Sequence, residues 1–493
     1  MDPCPAPFNL AGYVLAAGRR TPDKIALALL GPTRSERWSY ARLIRAVEGM
    51  AGGLRAAGLT PGDRVLLRLG NTPAFPVGFL GALAADLVPV PTAAGLTVPE
   101  ITALAHAIGP AAILAEDGIA LPEGCGAPVL TDLAVLMAHH PMAPVAGDPD
   151  RPGYIVFTSG SSGRPKPVVH AHRAIWARRM MWDGWYGLTP GDRLLHSGAF
   201  NWTYTLGTGL MDPWAIGATA LIPAPGTGPE ALPLLLRRHD ATIFASVPGI
   251  YRKLLSREAA LDLPRLRHGL SAGEKLPERL RSAWRQATGT DLHEALGMSE
   301  CSTFISGAPG RPAPEGRLGF PQPGRRIAIL SEDGNAVARG DTGILAVHRD
   351  DPGLCLGYLD GNRTELPLAG DWFLTGDLVS EASDGALGYH GRRDDLLTTG
   401  GFRIAPAEIE AVFAAAPDVG DCAACAVMVK ADTAVLALIH TGPAADSALR
   451  ALAETHLADY KRPRLYLRRP ALPRSANGKL DRRALSDLVK GAT

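Results

Sequence analysis

Apolar residues recur at helical spacing early in the chain. Leu43, Val47, Met50 and Leu54 share one face, and Gly58 follows as a stop signal. Residues 64–69 form a short apolar run that predicts a strand, and residues 75–85 predict a helix. Residues 88–90 read as another brief strand and 101–108 as another helix. This alternation predicts parallel βαβ units with helices packed on a sheet. Residues 144–152 are polar and proline-bearing. They lead into a buried strand over 154–157 that runs directly into a Ser/Gly loop.

The pattern changes after about residue 310. Residues 316–324 are turn-rich, and short strands over 327–330 and 343–347 flank the turn pair Asp333-Gly334. This predicts a smaller, more antiparallel β subdomain. Past residues 391–395 the pattern predicts a helix starting at Pro406, strands over 425–429 and 435–439, and a helix over 447–457. The fold class read from this is α/β. A large layered N-terminal domain covers 1–391, and a small α+β domain covers 392–493.

Composition narrows the function classes. Hydrophobic residues make up 46% and charged residues 20% of the 493 positions, which suits a globular chain with a substantial core. Lysine and arginine number 50 against 49 aspartates and glutamates, so the basic surplus of a nucleic-acid binder is missing. Six cysteines in so long a chain do not form a disulfide framework. Cys422 and Cys425 form a CxxC inside an apolar run without a second ligand pair, so a structural reading is expected rather than a zinc site. The N-terminus shows no basic region followed by an apolar run, and Asp86 cuts the apolar stretch 75–85 too soon for a membrane span. A soluble, cytoplasmic protein is the expectation.

The most informative stretch is 154–172. The predicted strand delivers Thr158, Ser159, Gly160, Ser161, Ser162, Gly163, Arg164, Pro165 and Lys166. Two glycines permit backbone angles that aim consecutive N–H groups at one point. The four hydroxyls add donors, and Lys166 adds a positive charge. Together they can cradle a polyphosphate. The loop is not a Walker A motif, because GxxxxGK[ST] is absent.

This stretch resembles the signature loop of the adenylate-forming (AMP-binding) superfamily, which includes acyl-CoA synthetases, peptide-synthetase adenylation domains and luciferases. Pro167 departs from the family's usual Gly, and a proline removes one N–H donor. Four further segments are similar, in the family's order. Residues 294–300 resemble the adenine and magnesium segment, with Leu296 in place of the usual aromatic ring and Ser299 in place of Thr. Residues 375–377 resemble the ribose segment. Residues 391–395 and 400–410 resemble the hinge and thiol-channel segment, and 473–479 the segment carrying a catalytic lysine.

The resemblance implies roles. Lys479 would meet the carboxylate and the α-phosphate, where negative charge gathers in the transition state. Glu300 would hold Mg²⁺, Asp377 the two ribose hydroxyls, Arg392 the ribose and Arg403 phosphate. Gly273 and Glu274 belong to the loop over adenine, and Glu294 would lie near the exocyclic amine. Asp394 stands at the hinge, and Gly400 and Gly401 in the CoA channel of a mobile C-terminal lid. The acid pocket would use Trp202, Thr203, Tyr204, Gly297, Met298, Thr303 and Phe304. No Asp or Glu occurs within 199–211, which argues against an α-amino acid, whose ammonium would lack a partner. Short or medium aliphatic acids and small aryl acids such as benzoates both stay open.

The expected function is an ATP- and Mg²⁺-dependent carboxylic acid–CoA ligase that works through an acyl-adenylate. CoA is the expected thiol, and a separate carrier protein is the alternative. A remote alternative is a serine hydrolase, because residues 269–273 fit GxSxG around Ser271. His170 and His172 are expected on the strand or turn after the phosphate loop rather than on a metal. The basic residues Lys461, Arg462, Arg464, Arg468 and Arg469 are expected on a solvated face, or at CoA phosphates.

Overall fold

The computed structural model describes residues 2–158, 165–257, 260–395, 397–399, 402–430, 433–457, 459–474 and 480–490. The first predicted helix forms as Tyr40–Ala56, where the Ser39 hydroxyl accepts from the N–H of Arg42 at 3.2 Å and so caps the N-terminus. Its stripe of Leu43, Val47, Met50 and Leu54 is fully buried. The next helix, Ala74–Ala84, is buried on every side, and Gly81 lets it come close: a Cβ there would lie 2.5 Å from Met50 Cγ.

Among the described residues the largest sheet has nine strands. Its centre is parallel, in the order Asp291–Met298, His268–Ala272, Ile243–Ser246, Arg193–His196, Thr219–Pro223 and Ile25–Leu30. Antiparallel strands close both edges. A second, parallel sheet orders Val88–Pro91, Arg64–Arg68, Ala112–Ala115 and Val129–Leu130. These sheets meet the βαβ expectation. Helices cover them, so the central strands are buried nearly throughout.

The strand before the phosphate loop belongs to neither parallel sheet. Pro152–Phe157 and Pro167–Ala171 pair as an antiparallel hairpin, which Gly357–Asp360 and Arg363–Glu365 extend. The antiparallel subdomain forms from Ile327–Leu330, Gly343–His348, Trp372–Glu381 and Leu387–Arg392. Toward the C-terminus, Cys422–Lys430, Thr433–His440 and Leu465–Arg468 form a sheet beside the helices Pro406–Ala414, Asp446–His456 and Arg482–Lys490.

Several alternatives can be weighed directly. Ser271 is fully buried inside the strand His268–Ala272, and its Oγ has no hydrogen-bond partner. It sits on no exposed turn and meets no histidine, so the hydrolase alternative lacks its nucleophile. His170 Nε2 donates to the Ser299 carbonyl at 2.7 Å, and His172 Nδ1 accepts from the N–H of Leu10 at 3.1 Å. Cys422 and Cys425 lie on one strand, and burial pushes the Cys425 thiol up to about 11. Among the described residues no cluster of three His, Cys, Asp or Glu could hold a metal ion, and no helix is long and apolar enough to cross a membrane.

One buried ion pair joins elements around the core. Arg178 Nη2 reaches Asp212 Oδ2 at 2.6 Å, the Tyr186 hydroxyl donates to the same oxygen at 2.7 Å, and Arg178 also bonds Ser302. Removing one partner of such a pair strands the other charge in the interior, at a cost of about 3–5 kcal/mol. Asp212→Asn is therefore expected to lower the midpoint of urea unfolding markedly. An unchanged midpoint would show that Arg178 does not depend on that carboxylate.

Candidate active site

The large N-terminal part and the C-terminal part face each other across a cleft of about 1570 Å³. A site for one small ligand usually occupies roughly 300–1,000 Å³, so this cleft has room for more than one substrate. The neck of the hairpin opens onto it. The Thr158 N–H donates to the Lys166 carbonyl at 3.0 Å, and the Lys166 N–H donates to Thr158 Oγ1 at 3.2 Å. Lys166 Nζ lies 5.1 Å from the centroid of the Tyr358 ring. Pro167 pairs with Phe157 below this neck. Ser159, Gly160, Ser161, Ser162 and Gly163 lie outside the described residues.

A second wall comes from the end of the strand Asp291–Met298 and the turn after it, with Leu296, Gly297, Met298, Ser299 and Glu300. Gly297 is required by close approach, because a Cβ there would fall 2.7 Å from Thr303 Cγ2 and 2.8 Å from the Ser302 carbonyl. Glu300 is largely buried, and its Oε1 accepts from the Tyr358 hydroxyl at 2.7 Å. Glu294 accepts from the N–H of Leu276 at 2.7 Å and has Arg281 at 3.6 Å. Burial outweighs both contacts and pushes the Glu294 carboxyl up to about 7.

The strand Trp372–Glu381 supplies the third wall. Asp377 is 6% exposed, accepts from the Tyr389 hydroxyl at 3.2 Å and lies 3.7 Å from Arg392 Nη1. Burial raises its carboxyl above the ordinary value, and Arg392 opposes that. Gly376 has φ +78°, and a Cβ there would meet Arg392 Nη2 at 3.1 Å. Arg392 also donates to the Thr375 carbonyl at 2.9 Å. Asp394 sits in the turn Arg393–Asp395, 3.5 Å from Arg392 Nη2.

Two residues expected in the acid pocket are buried in hydrophobic clusters. Tyr204 is in the core beside Trp185, and its hydroxyl donates to the Leu270 carbonyl at 3.2 Å. Phe304 is in the core of the antiparallel subdomain, with Leu318, Leu345 and Val347. Neighbouring residues on a strand point to opposite faces. Thr303 bonds Met181, so Phe304 turns the other way. Trp202 lies over Gly273, whose φ is +96° and whose Cβ would meet the indole at 3.2 Å. Thr203 borders a small void shared with His170, Arg178 and Ser302.

Glu274 also departs from expectation. Rather than being left for adenine, its carboxylate accepts from Arg474 Nη1 at 3.0 Å and from the N–H of Leu480 at 3.2 Å. Arg474 Nη2 reaches Asp421 at 2.6 Å, and Asp421 also takes Arg252 at 3.0 Å. Arg279 donates to the carbonyls of Ala416, Val419 and Gly420. These bonds form a polar seam between the two parts. Lys479, Gly400 and Gly401 lie outside the described residues, as does the side chain of Arg403. Sequence reasoning missed Tyr358, Tyr389, Arg474 and Asp421. Tyr358, Arg474 and Asp421 act through partners more than 50 residues away and Tyr389 through Asp377 on the adjoining strand, and no local spacing announces them.

As a whole the cleft offers several cations, Lys166 and Arg392 among them, beside carboxylates that are already hydrogen-bonded. That arrangement can take a polyphosphate, a diol and a metal-bridged anion together. Comparison with known proteins agrees. Residues 15–359 match the AMP-binding enzyme family and residues 408–479 its C-terminal domain. A 3-hydroxybenzoate–CoA ligase of Aromatoleum sp. (strain CIB) is 29% identical over 94% of this chain and 93% of its own length. A benzoate–CoA ligase of Thauera aromatica is 30% identical over 90% of each chain. The crystal structure of ATP-bound MatB from Rhodopseudomonas palustris superposes with a TM-score of 0.89 at 25% identity, covering 98% of this chain and 100% of that one. The chain belongs to the AMP-binding enzyme family, among its AMP-forming carboxylic acid–CoA ligases.

Proposed function

We propose that this cleft joins a small aromatic carboxylic acid to CoA in two steps driven by ATP. In the first, a carboxylate oxygen attacks the α-phosphorus and pyrophosphate leaves with the broken P–O electron pair. In the second, the CoA thiol loses its proton, sulfur attacks the acyl carbon, and AMP leaves with the electrons of the acyl C–O bond. The observation that carries this reading is the convergence of Lys166, Glu300, Asp377 and Arg392 on one cleft.

Asp377 accepts the ribose hydroxyls, and Arg392 donates beside it. Lys166 and the hairpin loop bind the phosphates. Glu294 and Leu296 lie on the wall assigned to adenine. Leu296 offers an aliphatic face rather than a ring. Glu300 fits a divalent cation: it is a carboxylate in the cleft whose Oε1 is held by Tyr358 and whose Oε2 takes no hydrogen bond from a described residue. Mg²⁺ bound there would neutralise phosphate charge. Lys479 is assigned to the α-phosphate, supported by Arg474 and Leu480, which flank its segment and line the cleft. Arg403 serves phosphate, Asp394 the hinge, and Gly400 and Gly401 the thiol channel.

The aromatic acid class rests on the two benzoate-type relatives and on the region assigned to the acid, where Gly297 and Met298 line the cleft, Thr303 packs against Gly297 and Trp202 lies over Gly273. No carboxylate of residues 199–211 enters that region to pair with an amine. Glu274 is assigned to the seam between the two parts rather than to ATP.

Pyrophosphate release should depend on benzoate or hydroxybenzoates, with the CoA thioester as product. Acetate and octanoate should give a kcat/KM at least tenfold lower. Release that follows chain length instead would move the enzyme to the aliphatic class, and release without any thioester would indicate a carrier-protein acceptor. Glu300→Gln should lower the rate of adenylate formation by about 10²-fold, the order seen when one group that stabilises transition-state charge is lost. A rate within threefold of wild type would remove Glu300 from the site.

Glu294 gives a pH signature. Its folded value of about 7 exceeds the ordinary 4.5, so folding favours its protonated form. That contribution is full below about pH 4.5 and is lost as pH rises through about 7. The stability of wild type relative to Glu294→Gln should therefore fall between pH 5 and 7 and level off above. A difference independent of pH would show that the carboxyl is ionised throughout.

A further inference from the structure

Tyr358 lies between the lysine of the hairpin and the carboxylate assigned to the metal. Its ring lies under Lys166 Nζ at 5.1 Å, and its hydroxyl donates to Glu300 Oε1 at 2.7 Å. The backbone fixes this placement without help from a ligand. Tyr358 pairs with Val168 and Gly357 with Val169, on the strand that leaves the phosphate loop. Three residues earlier, the N–H of Cys355 donates to the Glu300 carbonyl at 2.8 Å. Gly357 permits the bend with φ +140°, where a Cβ would fall 2.5 Å from the Glu365 backbone. One short segment thus touches both the phosphate hairpin and the metal-side carboxylate.

We infer that Tyr358 is a positioning residue: it fixes the rotamer of Glu300 so that Oε2 alone is offered to a divalent cation, and it sets Lys166 at a constant distance from that cation. This rests on the assignment of Glu300 given above. The two ends of the side chain do separable work. The hydroxyl orients the carboxylate through a charge-assisted hydrogen bond. The ring face attracts the ammonium. Carboxylates that bind Mg²⁺ with polyphosphate do so sparingly, with one or two protein oxygens and the rest from phosphates and water. A carboxylate with one oxygen already occupied suits that demand.

The test is binding, without acid or turnover. The Kd for metal-free ATP and the Kd for Mn²⁺–ATP are measured by calorimetry on wild type, Tyr358→Phe, Tyr358→Leu and Glu300→Gln, with thermal midpoints as a check on folding. Tyr358→Phe keeps the ring. It should leave the metal-free Kd within twofold and weaken Mn²⁺–ATP by about tenfold, the order expected for one hydrogen bond to a charged group. Tyr358→Leu should weaken metal-free ATP as well, because Lys166 loses its support. A purely structural role would shift both constants together in Tyr358→Phe, and that result would overturn the inference. Mn²⁺–ATP affinity kept in Tyr358→Phe but lost in Glu300→Gln would overturn it while sparing the assignment of Glu300. Affinity kept in both variants would overturn both.

Discussion

A cleft that must hold a polyphosphate is walled by buried carboxylates, and that repulsion governs how the site is built. Two like charges 4 Å apart repel by about 4 kcal/mol at an effective dielectric of 20. Glu300, Asp377 and Glu294 would each oppose the ligand if left bare. Each is instead quieted by a different donor: the Tyr358 phenol, the Tyr389 phenol beside Arg392, and the N–H of Leu276. All three donors are neutral, so they orient a carboxylate without cancelling its charge. Lys166 and Arg392 are among the cations of the cleft that can face the anion. The carboxylates keep the capacity to bind a cation, a diol and an amine.

This solution depends on where the elements end. The parallel strands deliver Glu294 and Leu296 together at one edge, and the antiparallel subdomain brings Asp377 opposite. The phosphate loop comes from neither. The strands on either side of it, Pro152–Phe157 and Pro167–Ala171, pair as a hairpin, and no described helix follows it directly. In that setting a single aromatic residue, Tyr358, links lysine to carboxylate.

Much of this was legible in the sequence because the signals were local. Helix faces such as Leu43, Val47, Met50 and Leu54 follow one period, and Gly376 and Gly297 mark places where a backbone must bend or approach closely. Hairpin pairing of the phosphate strand was not legible, since a short apolar run reads alike in parallel and antiparallel sheets. The burial of Phe304 in a cluster with Leu318 and Leu345 was not legible either, because which face of a strand looks inward depends on register. Glu274 was assigned to adenine by its neighbours in the chain. Its actual partners, Arg474 and Leu480, lie about 200 residues further on. Tyr358 and Tyr389 escaped notice because a phenol alone carries no motif.

The seam between the two parts is mostly ionic rather than apolar. Arg252, Arg474, Asp421 and Glu274 each keep between 19% and 29% of the side chain exposed. Wet ion pairs of this kind contribute about 0–1 kcal/mol each, so the orientation seen here rests on a shallow energy well. Water and dissolved ions can replace each of those ionic contacts. A seam so built exchanges its partners one at a time, each for water, at little cost.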